Sequence, residues 1–296
     1  MARLEKLDFE EFVQQRSPSG LASSAGEEHA YAYAWDQSTR AAFERVKPVE
    51  LAVSAAVRMF KTVGKAELLG RAVKVGPRQF PRVHSLSERC AQTLGIYAPT
   101  VYIVNNPQMN AATYGTTDDS FILLHSALVD HLSDEELVSV IGHESGHIHN
   151  NHVVYLTALY YLGNAAGLLV RQLSLPVLLT LRAWSRRAEI TCDRAGVLCA
   201  GNLDASLRAL VKLALGSQKL YDQLNIDVFL EQHAEAQESI GRYGEVLSSH
   251  PWLPKRVLAL RVFAESELYR SHVGLTGGLS IPEVDEKVHA IVKVMG

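Results

Sequence analysis

Residues 140–154, VIGHESGHIHNNHVV, hold four histidines and one glutamate in a run that otherwise reads as buried helix. His143, Glu144 and His147 stand in the pattern H-E-x-x-H. At 100° per residue His147 lies about 40° around a helix from His143 and one turn on, so both imidazoles can face one cation. Glu144 falls about 60° from His147, beside a metal rather than on it, where a carboxylate can take a proton from metal-activated water. If the helix continues, His152 lies about 180° from His143, and the four histidines cannot share one ion. His149 and His152 are therefore expected to cap, to hydrogen-bond or to face solvent.

A catalytic zinc takes three protein ligands and keeps a fourth position open, so one more donor is needed. A third histidine in the metzincin manner would stand at 153 with glycine at 150, but those residues are Val153 and Asn150. The sequence RAEITCDRAG offers Glu189, with Asp193 four residues on and on the same helical face. Glu189 can complete the metal shell, and Asp193 can accept the free ring N–H of a ligand histidine. Without the upstream motif the same pair reads more simply as a solvated face beside Arg186, Arg187 and Arg194. Cys192, between the two acids, is expected to pack in the helix interface.

These residues need a scaffold. Ser133 followed by Glu136 forms a capping box, which predicts a helix starting at Asp134 and carrying the histidines. A second helix is expected over RAWSRRAEITCDRAGVLCAG, ending near Gly201, and amphipathic helices over DASLRALVKLALGSQKL and NIDVFLEQHAEAQESI. FPRVHSLSERCAQTLG has helical spacing and stops at Gly95. TVYIVNN and SFILLHS are short β-rich runs, separated by a stretch full of turn residues, and suggest two or three strands of a small sheet. Residues 1–45 read as a polar arm or linker with a helix on its far side and little chemistry.

The chain has 296 residues, is 47% hydrophobic and 21% charged, and carries a net charge of −3, so it can bury a large core and has no general pull toward nucleic acid. Three cysteines without CxxC spacing argue against a disulfide framework and for a reducing compartment. No apolar signal follows the N-terminus, so the expected location is cytoplasmic, with no signal peptide. The apolar stretch over 153–184 contains Asn164, two glycines and Pro176, which is taken to break it. Buried packing or shallow peripheral contact with a membrane is expected there, rather than a span.

H-E-x-x-H followed some forty residues later by E-x-x-x-D resembles the M48 family of zinc metallopeptidases. SHPWLPKRV is similar to that family's H-P-x-x-x-x-R element at His250, Pro251 and Arg256, and NAATYG to its N-A-F-A-x-G segment. In the latter, Asn110, Ala111 and Gly115 match, while Ala112 and Thr113 stand where an aromatic and an alanine are usual. The resemblance implies one zinc per chain on His143, His147 and Glu189, with Glu144 as general base and then acid and Asp193 supporting the ligands. It also implies that His250 approaches the oxyanion while Arg256 orients this element. Residues Asn110, Ala111, Ala112 and Thr113 would belong to an edge strand that holds extended substrate by backbone hydrogen bonds. The departures leave the zinc untouched but put the side-chain packing of that edge in question.

The expected fold is α+β, mainly α, a gluzincin-type metallopeptidase with a small sheet and an H-E-x-x-H helix. The expected layout is an N-terminal arm and helical segment over 1–75, the peptidase domain over 76–265 and a C-terminal extension over 266–296. The expected function is hydrolysis of peptide bonds in extended or unfolded polypeptide by a zinc-activated water, without nucleic acid. Two alternatives remain at this stage: a non-proteolytic, metal-containing binding or chaperone-like module, and a membrane platform with a structural metal. Glu144 argues against the first, because a pure binding site has no need of a carboxylate there.

Overall fold

A computed structural model describes residues 30–43, 53–55, 57–58, 65–116, 119–163, 168–221, 223–237, 245, 248 and 250–293. Most of the expected arm, residues 1–29, lies outside them. In chain order the described elements are α1 (Ala34–Phe43), α2 (Lys65–Leu69), β1 (Ala72–Lys74), α3 (Pro81–Leu94), β2 (Thr100–Val104), β3 (Ala111–Gly115) and β4 (Ser120–His125). They continue with α4 (Ser126–His131), α5 (Asp134–His149), α6 (Val153–Gly163), α7 (Leu168–Ala200), α8 (Leu203–Leu215) and α9 (Gln218–Tyr221). Last come α10 (Ile226–Gln237), α11 (Leu253–Ala264), α12 (Glu267–His272) and α13 (Ile281–Val292).

The architecture is mainly helical, with one four-stranded sheet in the order β1-β2-β4-β3. β2 and β4, the two apolar runs, pair in parallel with Thr100 opposite Phe121, while β1 and β3 add antiparallel edges. β3 falls in the stretch that residue types alone marked as turns. Its strand conformation comes from pairing with β4, Thr113 opposite Ile122, so that alternate side chains point into the core. Ile122 and Leu124 belong to the same main core as Leu137, Val138 and Ile141 of α5. Phe121 is covered by the rings of Tyr102 and Tyr114.

α5 starts where the capping box places it: Ser133 Oγ accepts from Glu136 N–H at 3.3 Å, and Glu136 Oε2 accepts from Ser133 N–H at 2.9 Å. The Glu136 carboxylate also takes both oxygens to Lys212 Nζ at 2.9 Å and one to Arg208 Nε at 3.1 Å, tying the head of α5 to α8.

Small residues let α5 and α7 approach closely. A Cβ on Gly142 would stand 2.6 Å from Cys199 Cβ, one on Gly146 2.8 Å from Ala195 Cβ, and one on Gly196 2.6 Å from the Ser139 carbonyl oxygen. No side chain fits in those gaps, and the close contact brings the acids of α7 beside the histidines of α5.

Two expectations need correction. Pro176 does not break the apolar stretch, because α7 runs through it from Leu168 to Ala200, well upstream of the expected start. A helix interior can lose one hydrogen bond at proline and continue when strong helix formers flank it. The segment before α1, read as part of an arm or linker, is fastened to α7: Arg194 donates to the Tyr31 carbonyl at 3.1 Å and to Asp285 Oδ1 at 2.7 Å, and Asp285 Oδ2 accepts from Ala34 N–H at 3.0 Å. Ala158, Leu181, Trp184 and Ala188 form a second, smaller core with Val53. Among the described residues, no helix is long and apolar enough to cross a membrane.

Candidate metal centre

His143 and His147 project from consecutive turns of α5, their rings 5.0 Å apart and at 80°. Across the helix interface Glu189 presents both carboxylate oxygens to them: His143 Nε2 is 3.5 Å from Oε2, and His147 Nε2 is 3.5 Å from Oε1. Donor atoms on a tetrahedral ion with bonds of about 2.0–2.1 Å stand roughly 3.3–3.4 Å apart, so this set of two imidazoles and a carboxylate fits a zinc-sized cation. Any ion there is reached through the cleft on which Glu144 also opens.

The acids and bases around this trio hold one another. Asp193 Oδ1 lies 3.0 Å from His143 Nδ1, and Arg256, entering from α11, clamps Asp193 through Nε at 2.8 Å and Nη2 at 2.5 Å while its Nη1 lies 3.3 Å from Glu189 Oε2. Burial opposes charge on Glu189, but His250, Arg256 and His143 together with a hydrogen bond from His147 overcome it and hold its carboxyl well below the usual range. The same contest, burial against Arg256 and His143, leaves Asp193 ionised with a lowered pKa. His250 sits at the mouth, 59% exposed, with Nε2 3.6 Å from Glu189 Oε1.

Glu144 is buried, and its Oε2 accepts the Thr113 hydroxyl at 2.6 Å. β3 forms the rim: Asn110, Ala111, Ala112 and Thr113 line a cavity of about 410 Å³ with His143, Glu144, His147, Glu189 and His250. A second cavity of about 310 Å³ opens from the same centre between α5, α8 and α11, with an apolar wall that includes Val140, Ala209, Leu210, Leu213 and Leu260. Nine of the eleven residues expected at the site thus line the first cavity, and the other two, Asp193 and Arg256, line the second.

His152 hydrogen-bonds, as expected, but the helical-wheel angle that set it apart from His143 does not hold. α5 stops at His149, Asn150 caps it, and Asn151 adopts φ 57°, a left-handed conformation that asparagine tolerates. The chain reverses, His152 N–H donates to the His147 carbonyl at 2.9 Å, and the two rings come within 5.4 Å of each other. The Asn-Asn pair was the signal for this stop. Asp36 of α1 was missed entirely. It lies 3.1 Å from His152 Nε2, and a lone aspartate so far away in sequence carries no mark of that role. Cys192 packs at the interface as expected; burial first, then the surrounding carboxylates, push its thiol well above its ordinary pKa, so it is no ready nucleophile.

The sequence model for Peptidase family M48 matches residues 77–264, well over half the chain. The chain belongs to peptidase family M48. Within the family it is 36% identical over 174 residues to the plastoglobule-localized metallopeptidase 48, chloroplastic, of Arabidopsis thaliana, covering 56% of this chain and 49% of that protein. It is 29% identical over 225 residues to a protease HtpX homolog of Moorella thermoacetica, covering 64% of this chain and 74% of that one. The matched region thus spans about half the length of the Arabidopsis relative. The crystal structure of S. mikatae Ste24p aligns with a TM-score of 0.40 and 17% identity over 76% of this chain and 65% of that one.

Proposed function

We propose that this M48 member is a zinc-dependent endopeptidase acting on extended stretches of polypeptide. The observation that carries the reading is the facing of His143, His147 and Glu189 at 3.5 Å, with Glu144 opening on the same cleft. His143, His147 and Glu189 would hold the ion, one per chain. When bound, zinc supplies a Lewis acid that acidifies water and polarises a carbonyl.

The protein's own groups do the rest. The Thr113 bond to Oε2 leaves Glu144 Oε1 to take the proton from water and return it to the leaving amine. His250, exposed at the mouth, donates its ring N–H to the oxyanion, and Arg256 keeps Asp193 and Glu189 in place beneath it. β3 aligns the substrate by backbone pairing along its outer edge, and the apolar cavity beside α8 takes one apolar side chain. Buried Cys90, Cys192 and Cys199, all free thiols, fit a cytoplasmic location, and the 153–184 region is where peripheral membrane contact would occur. In this reading the peptidase domain occupies 76–265, with 1–75 and 266–296 as flanking segments.

The test pairs zinc content with cleavage of an unfolded protein for wild type and Glu144→Gln. The variant is expected to keep its zinc and lose about 10²–10⁴-fold in rate. Retention of the full rate would refute the assignment of the base, and a wild type that binds zinc without cleaving would favour a binding module.

A further inference from the structure

The two histidines of α5 are supported differently. His143 Nδ1 meets a carboxylate directly, Asp193 Oδ1 at 3.0 Å. His147 Nδ1 instead meets a second imidazole, His152 Nδ1 at 3.2 Å, and the far nitrogen of that ring, Nε2, lies 3.1 Å from Asp36 Oδ2. His147, His152 and Asp36 are 3%, 1% and 1% exposed, so water cannot substitute for any partner in this row.

We propose that Asp36 and His152 are positioning residues that fix the tautomer of His147, presenting its Nε2 lone pair to the cation. The proposal rests on the zinc reading above. An ionised carboxylate only accepts, so His152 must carry its proton on Nε2 and, as a neutral ring, offers a lone pair at Nδ1. His147 must then donate from Nδ1, which leaves Nε2 bare on the side of Glu189. Each partner determines the next, and the row begins at a residue that is itself held firmly. Asp36 Oδ1 accepts from Trp184 Nε1 at 2.8 Å, and its Oδ2 accepts from Thr191 Oγ1 at 2.7 Å.

Asp36 lies outside the 77–264 stretch that carries the family match, so the segment before the peptidase domain supplies part of the metal centre's support. Cys192 Sγ, 3.2 Å from His147 Nδ1 and 3.7 Å from His152 Nδ1, packs over the same contact. These three atoms are also spaced as donors for a cation of their own. Occupying them while His147 Nε2 serves Glu189's ion would require that imidazole to lose both protons, which favours the hydrogen-bonded row.

Asp36→Asn is the decisive variant, because it keeps the shape and inverts the wiring. Trp184 holds the amide oxygen, the NH₂ group then faces His152 Nε2, and the lone pair at that nitrogen forces the remaining protons to reverse. In full-length protein, Zn²⁺ affinity measured against a chromophoric chelator is expected to fall about 10- to 100-fold. The ¹⁵N shifts of metal-free protein should show His147 moving from the Nδ1–H to the Nε2–H form. His152→Ala should lose affinity similarly, and His152→Asn, which restores an acceptor near the Nδ1 position, should recover part of it. Wild-type zinc affinity in both Asp36→Asn and His152→Ala would overturn the relay alone. Failure of wild type to bind zinc would overturn the metal reading as well. A second zinc in wild type that disappears in Cys192→Ser would reassign these atoms to a cation site and overturn the relay.

Discussion

Thr113 Oγ1 lies 2.6 Å from Glu144 Oε2 and 3.1 Å from the Glu144 carbonyl oxygen, joining the rim strand directly to the proposed base. Thr113 is one of the two positions where the N-A-F-A-x-G resemblance fails, and alanine is usual there. The departure therefore adds a contact, one that holds the carboxylate in a single orientation. A hydrogen bond to a charged group is worth about 1.5–3 kcal/mol. Thr113→Ala is expected to lower kcat about tenfold, and Thr113→Ser to restore most of it. Steady-state rates on one peptide decide the matter, and equal kcat in wild type and Thr113→Ala would show that the contact does not position the base.

Arg256 serves two buried carboxylates through one fork, with bonds to both oxygens of Asp193 and Nη1 3.3 Å from Glu189 Oε2. Lysine offers a point charge and cannot span both acids. Arg256→Lys leaves one buried acid short of its partner, at a cost of about 3 kcal/mol. In the proposed centre zinc on Glu189 would supply the missing positive charge, so the loss should be larger with chelator than with zinc. Melting curves under the two conditions test this, and equal losses would exclude a shared electrostatic role.

Glu136 offers a pH test away from the metal. Burial opposes its ionisation, but Lys212, the Ser133 N–H and Arg208 outweigh it and lower its pKa below the ordinary value of 4.5. The unfolded state therefore binds the proton more readily, and the stabilisation is complete above about pH 4.5 and fades as pH falls through the lowered folded value. Glu136→Gln is expected to cost about 3 kcal/mol at pH 7, because Lys212 is left buried without a charged partner. The gap between variant and wild type should narrow below pH 4. Denaturant titrations at pH 7 and pH 3.5 that give the same gap would contradict the assignment.

What the sequence disclosed here follows from range. His143, Glu144 and His147 lie within one turn and a third of helix, so their mutual geometry is fixed by the backbone period. The capping box at Ser133 and Glu136 is equally local. Glu189 could be paired with them only through its spacing to Asp193 and the family resemblance, because the contact is made between helices. The wheel failed at His152 because two asparagines ended the helix before it, and Pro176 misled because local preference lost to the surrounding helix. Asp36 was beyond reach, since its role depends on a reversed chain at Asn151 and on the docking of the Tyr31–Ala34 segment against α7.

The glycines of the α5–α7 interface allow the last test. Gly196 is helical, so alanine there suits the backbone and would raise helix propensity by about 1 kcal/mol. Its Cβ, however, would sit 2.6 Å from the Ser139 carbonyl oxygen and 3.5 Å from His143 Cβ. The Ser139 contact is with backbone, so the helices must separate, and such overpacking costs about 1–3 kcal/mol. Because Glu189 and His143 stand on opposite sides of this contact, separation lengthens the span between the donor atoms that would share the proposed cation. Gly196→Ala is expected to lower zinc affinity at least tenfold while leaving far-UV circular dichroism unchanged. Gly201→Ala, on the same chain but past the helix end with open space around it, should lose some stability through its φ of 64° and leave zinc affinity intact. Equal zinc affinity in Gly196→Ala and wild type would mean that the close approach of α5 and α7 does not set the metal centre.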